Sequence, residues 1–206
     1  MLVIGAKGHA RDIVAVLEKR LVKELAFYDD ISENIGSSFL GEFPLIRDLA
    51  AAKEYFKDKS KVFTLGVGGP LVRKTLSEKF STEGFIFTSV ISGTAIIGTY
   101  EVHLGQGLNI MHNVFISNSV KIGNGVLLNA GVLVHHDCKI GDYVEVSPGA
   151  VVLGGAEIGD LSFIGASATI LPNVKVGQNV VIGAGAVVIK DVPSNSVVIG
   201  VPGRLK

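Results

Sequence analysis

The chain has 206 residues, with 19 Lys or Arg against 19 Asp or Glu, 26 Gly and one Cys. That length suits one large or two small domains; the balanced charge offers no field for nucleic acid or an anionic membrane surface, and a single cysteine excludes an intramolecular disulfide. Residues 1–12 carry neither the charged leader nor the long apolar run of a signal peptide, and no segment approaches the roughly 20 apolar residues needed to span a bilayer, so a soluble cytoplasmic protein is expected.

In chain order, Leu2-Val3-Ile4 predicts a short strand that runs into Gly5-Ala6-Lys7-Gly8-His9-Ala10. A helix is expected over Arg11–Arg20, where Ile13, Val16, Leu17 and then Leu21 keep helical spacing. Strand, glycine turn and helix together suit a nucleotide, because glycines let the backbone approach a phosphate and the helix start offers unpaired N–H groups. The middle glycine of the G-x-G-x-x-G fingerprint is missing, so an ordinary turn fits as well. A second strand, Leu25–Tyr28, ends in Asp29-Asp30, about 20 residues past the glycine turn, where an acid meets a ribose or base in dinucleotide-type folds. A solvated turn is the plain alternative. Residues 41–52 read as a loop and then a helix opened by Pro44. Val62–Leu65 makes a third strand ending in Gly66-Val67-Gly68-Gly69-Pro70, and Leu71–Phe80 the next helix. Two glycine turns then lie at the carboxyl ends of parallel strands, the edge where open α/β sheets bind ligands. The expectation is a small Rossmann-like nucleotide-binding domain over residues 1–84.

From Phe85 the texture changes to short strands. Every sixth residue from Leu104 is aliphatic, through Ile110, Ile116, Ile122, Leu128, Val134, Ile140, Val146, Val152, Ile158, Ile164, Ile170, Val176, Ile182 and Val188. A second column four places later, from Leu108 and Val114 through Cys138 to Val192, is mostly small or β-branched. Six helical steps turn through about 600°, which would scatter these residues over three faces, so the period excludes an amphipathic helix. Short strands broken by turns fit instead, as in a hexapeptide-repeat β-helix. Gly105, Gly123, Gly141, Gly159 and Gly177 recur every 18 residues, so three hexads make one coil. Such coils put the aliphatic column inside and satisfy each other's backbone groups by stacking. Ile91 and Ile97 lead into the repeat with one extra residue near His103, which marks an irregular first coil, and the Pro193–Lys206 tail leaves it. Cys138 stands in a column and reads as a small core residue.

With Gly5-x-x-Gly8-His9, Asp29-Asp30, the β-helix, His135-His136-Asp137-Cys138 and the ending Gly200-Val-Pro-Gly203, the whole chain resembles the left-handed β-helix sugar acetyltransferases. These are typified by the bacillosamine-pathway N-acetyltransferase and the sialic acid O-acetyltransferases. The resemblance supplies the left hand, makes the α/β domain over residues 1–84 a nucleotide-sugar-binding domain and implies that a left-handed parallel β-helix with its C-terminal extension follows over 85–206. It also implies acetyl-CoA as cosubstrate, a nucleotide-activated sugar as acceptor and a homotrimer. Acetyl transfer needs a base to take a proton from the acceptor, and histidine suits that near neutral pH. The resemblance places His136 in that role, with Asp137 to orient it. It implies Gly8, His9, Asp29, Asp30, Gly68 and Gly69 for the sugar nucleotide. For CoA it implies Gly154, Gly155, Ala166 and Ser167 along the pantetheine arm and Lys190, Pro202 and Arg204 near the phosphates and adenine.

The reading is therefore N-acetylation of an amino-deoxy sugar linked to a nucleotide, with O-acetylation of sialic acid or a related sugar as the alternative. A non-catalytic sugar-nucleotide-binding protein would leave His136-Asp137 dispensable. A zinc carbonic anhydrase built on the same kind of coil would need His112, His135 and His136 as ligands, but their spacing does not support one and no metal is expected.

Overall fold

The computed structural model of the chain describes residues 1–17, 25–33 and 35–206. Alternation along β1 (Leu2–Ile4) sends Val3 to one apolar layer and Leu2 and Ile4 to the other, so this strand is buried on both sides. It lies within a six-stranded sheet ordered β3-β4-β2-β1-β5-β6, made with β2 (Ala26–Tyr28), β3 (Ser38–Phe39), β4 (Phe43–Ile46), β5 (Val62–Leu65) and β6 (Ile86–Phe87). Only the β3–β4 pair is antiparallel. The first helix, α1 (Gly8–Val16), starts three residues before the expected Arg11 and buries Ala10, Ile13 and Val16. Leu17 is its C-cap, while residues 18–20 and Leu21 of the expected helix lie outside the described residues.

Two expectations need correction here. The helix expected from Pro44 is α2 (Leu49–Tyr55), and it opens at Asp48, whose carboxylate accepts a hydrogen bond from the Ala51 N–H at 2.8 Å. Pro44 instead lies in β4 opposite Ser38; the aspartate cap was the true start signal. The sheet also runs past residue 84, because β6 pairs with β5 through Val62↔Ile86 and Phe63↔Phe87. The helix between them, α3 (Pro70–Thr82), has its proline at the first turn, where a missing N–H costs nothing.

The rest of the chain is a left-handed parallel β-helix of two-residue strands on three faces. The first face stacks Ile110, Leu128, Val146, Ile164 and Ile182, the second Ile116, Val134, Val152, Ile170 and Val188, and the third Leu104, Ile122, Ile140, Ile158 and Val176. Neighbours are 18 residues apart, except that Ile91↔Ile110 and Ile97↔Ile116 are 19 apart, which absorbs the extra residue near His103. From Leu108 onward both sequence columns point inward and form one continuous core, Cys138 included, while Leu104 is exposed at the first coil. Burial pushes the Cys138 thiol pKa up, in keeping with a core side chain. Ser162, the polar member of the second column, donates to the Gly177 carbonyl at 2.9 Å and accepts from the Val180 N–H at 3.1 Å. The 18-residue glycine column is dictated by crowding. A Cβ on Gly105 would lie 2.6 Å from the Gly123 carbonyl carbon, and one on Gly159 equally close to that of Gly177.

The C-terminal tail leaves the hexad repeat but not the coil. Val197–Ile199 adds a parallel strand to the first face, and Arg204–Leu205 turns back antiparallel beside it. Three-residue and two-residue strands can extend a sheet whose last edge is open, even where the hexad pattern has faded.

The α/β domain sits against the first coils of the first face, where Val90, Met111 and Leu127 share an apolar layer with Ala10, Ile13 and Phe27. A polar clamp fixes the contact: fully buried Arg73 of α3 donates to Gly125 O at 3.1 Å and to Asn109 Oδ1 at 2.9 Å, and the Ser77 and Tyr143 hydroxyls lie 2.8 Å apart.

Candidate active site

Most corners of the coil are two-residue turns whose second residue takes a positive φ, as a type II turn requires. His136-Asp137 is such a corner, between the second and third faces, with Asp137 at φ 62°. Val134 points into the core, so the chain reaches the corner with His136 outside it. Its Nδ1 lies 2.8 Å from Asp137 Oδ2. A carboxylate can only accept, so this bond selects the tautomer with hydrogen on Nδ1 and leaves Nε2 with a free lone pair. The His136 carbonyl in turn accepts from the Gly155 N–H at 2.9 Å, which ties the corner to the next coil.

The imidazole lies against Gly154. A Cβ built there would come within 2.5 Å of His136 Cε1 and 2.7 Å of Nε2. Other coils carry Asn118, Pro172 and Lys190 at the same corner position, so the turn itself tolerates side chains and the glycine makes room for the ring. The Gly154 N–H has no acceptor among the described residues. A proton acceptor and an unoccupied backbone donor thus stand side by side, which is what addition to a carbonyl uses.

Of the residues expected to hold CoA, Gly154, Gly155 and Lys190 share the edge of His136, whereas Ala166 and Ser167 lie on the edge between the first and second faces. Pro202 and Arg204 belong to the terminal turn and strand. Lys190 shares a small cavity with Gly203 and Leu205 of that turn and strand, whereas Ala166 and Ser167 stay on their own edge in a single subunit.

The expected acceptor residues gather at the carboxyl edge of the α/β sheet, but several are already engaged. Asp29 is buried and its carboxylate accepts from the N–H groups of Ala6 at 3.2 Å, Ile31 at 3.3 Å and Ser32 at 2.8 Å. Burial alone would raise its pKa, and these bonds outweigh that and lower it. It organises the loop around the glycine turn. Asp30 is exposed and pairs with the Tyr28 hydroxyl at 2.8 Å and with Lys79 at 3.2 Å. His9 turns into the interface with the coil, 3.5 Å from Asn109 Oδ1. Burial, reinforced by Arg73, pushes its pKa down to about 4, so the ring is neutral at physiological pH. The Gly69 N–H at the start of α3 donates to Glu145 Oε2 at 2.6 Å. That carboxylate takes the place an anion would occupy. Beside Gly8, by contrast, there is open space, and α1 has no side-chain cap. Glu145, Arg73 and Asn109 gave no sequence signal, because their partners lie 76, 52 and 36 residues away.

The α/β domain covers the first face, whereas His136 stands at the corner joining the other two, across the triangle from it. His112 is on the edge of Ala166 and Ser167, bonded to Ser92 at 2.7 Å, and His135 stacks edge-on with Phe115 at 6.1 Å. Among the described residues no group of three His, Cys, Asp or Glu side chains is placed to hold a metal, and no helix is long and apolar enough to cross a membrane.

Residues 1–80 match the PglD N-terminal domain, and residues 119–154 and 155–190 match the bacterial transferase hexapeptide (six repeats). No curated protein matches the chain. Among solved structures the chain is similar to PerB from Caulobacter crescentus in complex with CoA and GDP-perosamine, with 29% identity, a TM-score of 0.89 and coverage of 100% of this chain and 96% of that one. It is similar to the acetyltransferase domain of PglB from Neisseria gonorrhoeae, with 29% identity, a TM-score of 0.88 and coverage of 100% and 98%. WeeI from Acinetobacter baumannii aligns over 100% and 98% of the two chains, with 27% identity and a TM-score of 0.89.

Proposed function

From a chain that is a left-handed β-helix sugar acetyltransferase dependent on acyl-CoA, built of a PglD N-terminal domain and hexapeptide repeats, we propose N-acetylation of an amino-deoxy sugar carried on a nucleotide. The observation that carries this reading is the His136–Asp137 pair beside the unoccupied Gly154 N–H. The neutral amine of the sugar attacks the thioester carbonyl while His136 Nε2 takes its proton. A C–N bond forms, and the carbonyl oxygen becomes an oxyanion to which Gly154 N–H donates. The tetrahedral species then collapses, breaking the C–S bond, and the imidazolium returns its proton to the leaving CoA sulfur. Asp137 favours the charged imidazolium in between. The similarity to PerB, determined with CoA and GDP-perosamine, supports an amine as acceptor.

A homotrimer completes the site. The second face presents Ile96, Phe115, Leu133, Val151 and Val187 outward, while the third presents Lys121, Lys139, Glu157 and Lys175. Apolar second faces turned toward a threefold axis would bury that surface and leave the charged faces in water. The two edges flanking the second face are those of His136 and of Ala166-Ser167. Around such an axis, the His136 edge of one subunit meets the Ala166 edge and the α/β domain of the next. The expected CoA residues then lie on both walls of one cleft, and the diphosphate of the sugar nucleotide takes the open start of α1 beside Gly8.

CoA release from acetyl-CoA with UDP-, GDP- and dTDP-linked 4-amino sugars, and with free sialic acid, tests the reading. Turnover on an amino sugar, reduced by about 10²–10⁴-fold in His136→Ala, is expected. Turnover on sialic acid alone would make the enzyme an O-acetyltransferase, and tight nucleotide-sugar binding without turnover would make it a binding protein.

A further inference from the structure

On the edge between the third and first faces, the corners share a way of closing their backbone. The N–H of the first turn residue is often capped by the side chain at the same place one coil on. Asn124 Oδ1 accepts from Gln106 N at 3.0 Å, Asp142 Oδ1 from Asn124 N at 2.7 Å and Asp160 Oδ1 from Asp142 N at 2.8 Å. On the edge of His136 itself, Asn118 Oδ1 accepts from Tyr100 N at 3.2 Å. The residue placed to do the same for Gly154 is Pro172. Its ring has no acceptor atom, and as a proline it adds no competing N–H of its own.

We propose that Pro172 is a positioning residue that keeps the Gly154 N–H free for the oxyanion of acetyl transfer. This role rests on the acetyltransferase reading above and names a residue that acts on it without touching either substrate. The turn does not need proline. Asn118 occupies the same corner position, followed by Ser119 at φ 58°, much as Pro172 is followed by Asn173 at φ 60°. Pro172 is also exposed, so its ring fills no core space. What distinguishes it from asparagine at this site is the missing acceptor. Asparagine there would cap Gly154 as Asn118 caps Tyr100, and the oxyanion would have to displace that cap.

The test compares Pro172→Asn with Pro172→Ala, both of which remove the ring, while only asparagine adds an acceptor. In steady-state CoA release, Pro172→Asn is expected to lose on the order of tenfold to a hundredfold in kcat with KM for acetyl-CoA little changed. Pro172→Ala should keep near wild-type kcat, and both should melt close to the wild type. Amide exchange at Gly154 should slow in Pro172→Asn alone. Full kcat in Pro172→Asn, or an equal fall in Pro172→Ala, would overturn the role. Absence of turnover in the wild type on every amino sugar would instead overturn the acetyltransferase reading, and this role with it.

Discussion

The role proposed for His136 rests on two neighbours, a carboxylate that holds Nδ1 at 2.8 Å and a glycine that leaves room for the ring. Asp137→Asn can still take up the same position but no longer stabilises the imidazolium. We expect kcat for CoA release to fall by about 10–100-fold with little change in KM, and an unchanged kcat would remove Asp137 from the mechanism. His9 gives a prediction of another kind. Its pKa falls from 6.5 to about 4 on folding, so between those values the unfolded chain binds the extra proton and stability rises with pH. The contribution is fully present above pH 6.5 and is lost as pH falls toward 4, about 3 kcal/mol in all. Urea denaturation at pH 7 and pH 4.5 should show that loss in the wild type and a smaller one in His9→Gln; identical losses would count against it. His136 was singled out by the resemblance, and the hexad register put it outside the aliphatic columns. The interface role of His9 was not legible, since Asn109 and Arg73 reach it only through tertiary packing.

Among the elements, the coil was the most legible part of the chain, because each two-residue strand repeats one inward aliphatic and stacking leaves no freedom of register. The tail was less so: once the hexad beat stops, only the open sheet edge draws Val197–Ile199 into place. The same applies to Pro44, where a proline signal outweighed the better capping signal of Asp48. The glycine column carries its own prediction. Gly159→Ala pushes a methyl group toward the Gly177 carbonyl carbon and the Gln178 nitrogen, at 2.6 and 2.7 Å, and backbone cannot swing aside as a side chain can. A destabilisation of about 1–3 kcal/mol is expected in thermal or chemical unfolding. Gly8→Ala, where a Cβ meets nothing within 4 Å, should leave stability nearly unchanged. Equal effects at both positions would show that crowding is not what selects the coil glycines.

On the scale of the whole molecule, each face of the coil has a different fate. The first is partly covered by the α/β domain, the third carries a charged ladder in which Lys139 meets Glu157 at 3.1 Å, and the second is apolar without a cover in the single chain. Val151→Lys on the second face should turn the proposed trimer into monomers by analytical ultracentrifugation and abolish turnover together. A trimeric, active Val151→Lys protein would place the interface elsewhere. The resemblance implied a homotrimer, but the face that would carry it was not legible, since which corner lies opposite which face emerges only when the coil closes. The most direct check on a site shared between subunits is complementation. His136→Ala lacks the base, and Gly8→Asp sets a negative charge at the open start of α1, so each alone should be inactive. Co-expressed, the two chains should form mixed trimers that regain CoA release, because an intact His136 edge then faces an intact acceptor domain. If every mixture stays as inactive as its parents while mixed trimers are demonstrably present, base and acceptor belong to the same chain, and the shared site is wrong.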